Sequence, residues 1–193
     1  MQQRKEAQPR LIRAMIDMFS LPDLRHKLLF TLGILVVFRF LVHVPSPVVT
    51  PEVLQRLAES FEQNQLLGML NLFSGGAMKN FSVAALGVYP YITASIIMQL
   101  LVPVIPKLQS IAQEGESGQR KINRITHIAT VPLAALQGYA QLTLLHSQNI
   151  IGYIEPTIVV ATLMSITAAT LFLVWLGELI TERGIGNGIS III

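Results

Sequence analysis

The chain has 193 residues, 52% hydrophobic and only 13% charged, with a formal charge of +3 and a mean hydropathy of +0.57. An ordinary soluble domain carries about 25% charged residues, so this composition argues against one. With no cysteine in the sequence, disulfides and Cys-based metal sites or nucleophiles are excluded.

Residues 1–27 are polar and basic, with no apolar core ahead of a small-residue cleavage site, which predicts a cytoplasmic segment rather than a cleaved leader. Within it, residues 11–19 alternate apolar and charged groups at helical spacing. That pattern suits an amphipathic helix, either on the membrane interface or packed on the protein. The first apolar run, residues 28–44, is broken only by Arg39 and approaches the ~20 residues needed to cross a bilayer. Arg39 lies near the outer end, where it can snorkel.

An external loop is expected over residues 45–80. Its second part, 65–80, holds Leu66, Leu67, Met69, Leu70 and Phe73, an apolar helix face too short to span. Ser74, Gly75 and Gly76 then break it, because paired glycines weaken helices and permit sharp turns. A re-entrant half-helix and a surface helix both fit.

The second apolar run covers residues 81–105, and Pro90, helped by Gly87, predicts a kink in it. At about 100° per residue, Val88, Ile92, Ser95 and Gln99 share one stripe, aliphatic in its outer half and polar in its inner half. A Gln amide facing lipid is costly, so the stripe should face protein or water, as a packing seam or a pore wall. A cytoplasmic loop over 106–124 leads to a third run, 125–145. An external loop, 146–156, precedes a fourth run, 157–176, with Tyr153 and Trp175 placed as interfacial anchors. A last cytoplasmic loop, 177–187, leads into residues 188–193. These six residues cannot cross a layer about 30 Å thick at about 1.5 Å per residue. They read as the start of a truncated fifth span in a fragment of a longer protein.

Lysine and arginine set the orientation. The N-terminal segment holds Arg4, Lys5, Arg10, Arg13, Arg25 and Lys27, while the next loop holds Arg56 and Lys79. Lys107, Arg120, Lys121 and Arg124 follow, then a loop with none, then Arg183. This alternation puts the N-terminus in the cytoplasm.

Enzyme signatures are missing. His26, His43, His127 and His146 are scattered along the chain and fall on both sides of the membrane, which is unsuited to a metal cluster. Neither His-Glu-x-x-His nor Gly-x-Ser-x-Gly occurs. Gly184-Ile-Gly-Asn-Gly188 follows a membrane helix rather than a strand, so a dinucleotide loop does not fit.

Four stretches carry a resemblance: Leu-Phe-Ser-Gly-Gly-Ala (72–77), Ala-Leu-Gly-Val-Tyr-Pro-Tyr-Ile-Thr-Ala-Ser-Ile-Ile-Met-Gln-Leu-Leu (85–101), Glu-Gly-Glu-Ser-Gly-Gln-Arg-Lys-Ile (114–122) and Trp-Leu-Gly-Glu-Leu-Ile-Thr-Glu-Arg-Gly-Ile-Gly-Asn-Gly-Ile-Ser-Ile-Ile-Ile (175–193). In this order they resemble the SecY family of protein-translocation channels, with a weaker match at Val-Pro-Ser-Pro (44–47) and with Tyr89 where Met is common. The resemblance implies an all-α membrane protein, the first half of the ten-span SecY fold, without catalysis or cofactor. It implies a pore ring including Val88, Ile92 and Ile193, and a plug formed by Leu66, Leu67, Leu70, Phe73, Ser74, Gly75 and Gly76. Ser95, Ile96 and Gln99 would lie at a lateral gate near the signal sequence. Lys107, Glu114, Arg120 and Lys121 would sit on a loop facing the SecA motor or the ribosome. SecE and SecG-type subunits, signal sequences, unfolded polypeptides and the lipid bilayer are the implied partners, with no nucleic-acid contact apart from ribosome docking. The implied location is the bacterial plasma membrane. From the residues alone, a secondary transporter with a broken helix binding a small solute is the alternative.

The charge alternation makes a direct prediction. In intact cells, cysteines introduced at Gln63 and Gln148 should react with an impermeant thiol reagent, and one at Gln119 should not. The opposite labelling pattern would reject this orientation.

Overall fold

The computed structural model describes residues 22–63, 77 and 79–193. The expected amphipathic helix at 11–19 and the plug residues Leu66, Leu67, Leu70, Phe73, Ser74, Gly75 and Gly76 lie outside them. Within them the chain is helical, and the only strand-like feature is an isolated bridge between Pro45 and Ser82.

Helix α1 (Pro22–Leu41) begins before the first apolar run and includes the basic stretch ahead of it. Its polar first turns are held locally: His26 Nδ1 lies 2.7 Å from the Pro22 carbonyl and Lys27 pairs with Asp23 at 3.2 Å. Leu29, Leu32, Val36 and Phe40 recur at helical spacing on α1 and are all exposed. A stripe of this kind suits lipid or a partner helix rather than water. Helix α2 (Pro51–Gln63) is polar outward and buries Val53 and Leu57.

The second apolar run departs from the expected kinked span. Residues 83–88 form turns, and Gly87 takes a left-handed φ of +54°. Helix α3 (Tyr89–Leu101) starts only then. Pro90 therefore occupies the first turn, where its missing N–H is an orphan anyway, and it initiates the helix rather than kinking it. After α3 the chain bends by 102° into α4 (Pro106–Ala112). Pro103 and Pro106 explain the break, since neither can donate, and Ile105 ahead of Pro106 is extended.

The expected loop at 106–124 is largely helical. Beyond α4, helix α5 (Glu116–Ser147) runs for 32 residues, so the third apolar run occupies only its later part. Helix α6 (Pro156–Arg183) likewise continues past the fourth run, and α7 (Gly188–Ile192) opens the last. At about 1.5 Å per residue α5 and α6 reach roughly 48 and 42 Å, longer than a hydrocarbon core. Hydropathy marks where a helix meets lipid, and polar turns extend the same helix into water. Pro132 lies inside α5 without ending it. Among the described residues, α5 and α6 are long and apolar enough to cross a membrane, and α3 with α4 would make a third span if counted as one bent segment.

Two apolar clusters hold these pieces. One joins Ile34 and Val42 of the first helix region to Val88, Leu173, Leu176, Ile180 and Ile192. The other joins Val48, Leu57, Phe81, Leu142, Ile150 and Ile151. The turn after α5 delivers its members by a Schellman arrangement: Asn149 adopts φ +57°, Asn149 N donates to His146 O at 3.0 Å, and Ile150 N donates to Leu145 O at 3.1 Å.

Glycine explains the turn between α6 and α7. Thr181 Oγ1 donates to the Gly177 carbonyl at 3.0 Å and accepts from Gly188 N at 2.9 Å. A methyl on Gly188 would run into the Gly177 carbonyl oxygen, whereas one on Gly33 in α1 would meet nothing among the described residues. Gly188→Ala should therefore cost about 1–3 kcal/mol through forced backbone separation. Gly33→Ala should be neutral or gain about 0.5–1 kcal/mol from helix propensity. Thermal unfolding in detergent checks the pair, and equal effects at both sites would reject the close-packing argument.

Candidate functional site

The stripe read from the sequence is built on α3. Val88 caps the helix start, and its carbonyl accepts from Tyr91 N and Ile92 N at 3.1 Å each. Val88 is buried in the apolar cluster that also holds Leu173, Ile180 and Ile192, and half-buried Ile92 packs against that cluster. In the last turn it is Ile192 that is buried, at 6% exposure, while Ile193 stands 60% exposed. Ile189 packs against the same cluster.

One turn further along α3 the character changes. Gln99 Nε2 donates to Ser95 Oγ at 3.3 Å, so the amide is partnered within its own helix. Ser95 and Gln99 line a cavity of about 560 Å³ shared with Met98, Gln119 and Asn123, while Ile96 on the neighbouring face is 52% exposed. Higher on the same helix pair, Gln137 Nε2 donates to Thr93 Oγ1 at 3.4 Å. The structure therefore brings Ser95 and Gln99 to one wall of a cavity of mixed lining, which also includes Met98, Val102 and Ile122.

The basic loop is a helical hairpin. Gly115, at φ +71°, makes the turn between α4 and α5. Gly118 lets the helices touch, since a methyl there would strike the Ile111 carbonyl oxygen. Lys121 Nζ pairs with Glu114 at 2.6 Å and Arg120 with Glu116 at 3.8 Å, all exposed. Such surface pairs contribute about 0–1 kcal/mol. Lys107 is exposed on α4, so Lys107, Glu114, Arg120 and Lys121 share one solvent-facing hairpin.

One group escaped the sequence reading. Tyr91 Oη donates to Asn123 Oδ1 at 3.2 Å, and Asn123 Nδ2 donates to Glu178 Oε1 at 2.9 Å. His127 Nε2 lies 2.9 Å from the same oxygen, and the Tyr91 and His127 rings meet edge to face at 5.4 Å. The members come from α3, α5 and α6. Asn123 and His127, one turn apart, were the only local signal, and nothing local pointed to Tyr91 or Glu178.

Comparison with known proteins places this geometry. The SecY family model matches residues 82–193. The protein translocase subunit SecY of Streptomyces lividans is 45% identical, covering 94% of this chain and 44% of that protein. Those of Haemophilus influenzae and Staphylococcus aureus are 43% and 39% identical, covering 89% and 95% of this chain and 39% and 43% of theirs. The chain thus spans less than half the length of these curated relatives. Among solved structures, Sec61 in the canine ribosome–channel complex from the endoplasmic reticulum has a TM-score of 0.57 at 20% identity, covering 87% of this chain and 35% of that one. That likeness establishes a shared helical fold. With a family model over more than half its residues, and helices able to cross a membrane more than once, this chain is a multi-pass membrane protein of the SecY family.

Proposed function

We propose that the chain supplies the N-terminal half of the pore-forming subunit of a Sec translocon, conducting unfolded secretory proteins across the bacterial plasma membrane and releasing membrane proteins sideways into it. The observation that carries this is the aliphatic face of α3: Val88 and Ile92, one turn apart, cluster with Ile189 and Ile192 of α7. A ring of aliphatic side chains can surround an extended polypeptide while resisting ion flow, because a narrow apolar neck dewets. Aliphatic contact is also indifferent to the sequence of the passing chain, as a conduit for many substrates requires.

In this reading Val88, Ile92 and Ile193 contribute to the constriction, and residues 65–80 form the plug that covers it. Ser95, Ile96 and Gln99 lie at the lateral gate, where a cavity of mixed polar and apolar lining beside an exposed aliphatic side chain suits an arriving signal sequence. The α4–α5 hairpin, with Lys107, Glu114, Arg120 and Lys121 facing solvent, is the docking side for the SecA motor or the ribosome, and SecE and SecG-type subunits complete the assembly. The N-terminus is cytoplasmic, and the chain carries no catalysis of its own. Membership of the SecY family disfavours the solute-transporter alternative.

Resting conductance of the full-length channel in planar bilayers tests the reading. Ile92→Asn should wet the neck and raise leakage without lowering expression. Removing residues 66–73 should also raise it, and the double variant should leak more than either single one. A folded, well-expressed Ile92→Asn channel with unchanged resting conductance would falsify the pore assignment.

A further inference from the structure

We infer that Glu178 is the hub of a polar latch that fixes α3 against the α5–α6 pair, and that the latch opens at its Tyr91–Asn123 link. Glu178 and His127 have side chains 29% and 32% exposed, so both are partly withdrawn from water. A carboxylate in such a place is stabilised by hydrogen-bond donors from its neighbours. Its Oε1 accepts from Asn123 Nδ2 at 2.9 Å and lies 2.9 Å from His127 Nε2, a contact that is an ion pair when the imidazole is protonated. Arg120, Arg124, Glu182, Thr181 and Asn187 line the same cavity of about 640 Å³, so the local charge is mixed.

The links differ in strength. Asn123 to Glu178 is a hydrogen bond to a charged group, and it joins α5 to α6. Tyr91 to Asn123 is longer, 3.2 Å, joins two neutral groups, and ties α3 to the rest. The other polar tie from α3 to α5 described here, Gln137 to Thr93, is longer again at 3.4 Å. Helix α3 is bounded by irregular backbone, with left-handed Gly87 ahead of it and the 102° break after it. It also buries Pro90, Ala94 and Met98, so apolar packing holds it as well, and among its polar ties the neutral Tyr91–Asn123 bond gives way before the charge-assisted Asn123–Glu178 bond does. The inference rests on the proposed role of α3 as a channel wall, because that role gives its release a consequence.

The test uses the full-length protein. The chain has no cysteine, so pairs of thiols introduced into it for spin labels are the only ones it contributes. One pair, Ile97→Cys with Met164→Cys, reports α3 against α6, and another, Leu136→Cys with Met164→Cys, reports α5 against α6. Tyr91→Phe removes only a hydroxyl, and Asn123→Ala removes both links. Each should broaden the α3–α6 distance distribution, lowering the ratio of docked to released α3 roughly two- to tenfold, as expected for loss of a neutral hydrogen bond. The α5–α6 distribution should stay unchanged in Tyr91→Phe. Unchanged α3–α6 distances in both variants would overturn the latch, and so would equal broadening of both pairs in Tyr91→Phe, which would make the cluster general fold adhesive. Broadening of α3–α6 alone with unaltered resting conductance would support the latch and count instead against α3 as a channel wall.

Discussion

Within a hydrocarbon layer there is no water to satisfy a freed backbone N–H or C=O, and each orphan costs several kcal/mol. The architecture follows from where this chain interrupts its helices and how it covers the groups released there. Ahead of α3, the turns at 82–88 close on themselves and on the neighbouring segment, with Ser46 N donating to Phe81 O at 3.2 Å and Val83 N to Val44 O at 3.0 Å. After α5, the Schellman turn satisfies the last carbonyls and its residues Ile150 and Ile151 enter an apolar cluster. Between α6 and α7, Thr181 bridges two backbone groups where glycines bring the chain nearly into contact with itself. Each of these breaks thus carries its own hydrogen-bond partners; the one at 82–88 lies within an apolar run, where this is obligatory, and the other two lie in the loops at 146–156 and 177–187, where it fixes the turn.

The same economy governs some side chains, though Thr162 and Thr170 of α6 bury their hydroxyls without a partner among the described residues. Thr126 and Thr130 return their hydroxyls to carbonyls one turn back, at 2.9 and 2.8 Å, and so sit buried in α5 without needing a partner helix. Gln99 finds Ser95 in its own helix. Glu178 cannot be satisfied in this way, because a carboxylate needs donors that its own helical backbone cannot give. It draws Asn123, and through it Tyr91, from other helices. The group that is most expensive to bury therefore becomes the one that joins three helices.

Much of this was legible in the sequence, and the failures share a cause. The apolar runs located α1, α3, α5 and α6, since a bilayer imposes a length and polarity that a single chain displays openly. Their ends were not legible: α5 begins nine residues ahead of its run, at Glu116 rather than 125, because hydropathy reports lipid contact and is silent about polar helix in water. Pro90 was misplaced for a related reason. A proline kinks a helix or starts one according to where the helix begins, and that beginning was decided by the left-handed turn at Gly87. Of the candidate site, the Val88–Ile92 face was readable because one helical turn is a local relation. The Glu178 cluster was not, since its partners lie 32 and 55 positions apart in the chain.

These observations divide the described structure into parts of unequal rigidity. Helices α5 and α6 are long, approach each other at Gly138, which faces Leu163 and Ile166, and share a hydrogen bond to a carboxylate. Helix α7 is tied to α6 at Gly188 through Thr181 and the Gly177 contact. By contrast α3 spans only about 20 Å at about 1.5 Å per residue, has a turn or break at each end, and adds only neutral hydrogen bonds to its apolar packing on α5. The covalent and hydrogen-bonding layout therefore leaves α3 bounded by irregular backbone at both ends, while α5 is tied to α6 through a carboxylate and α6 to α7 through Thr181.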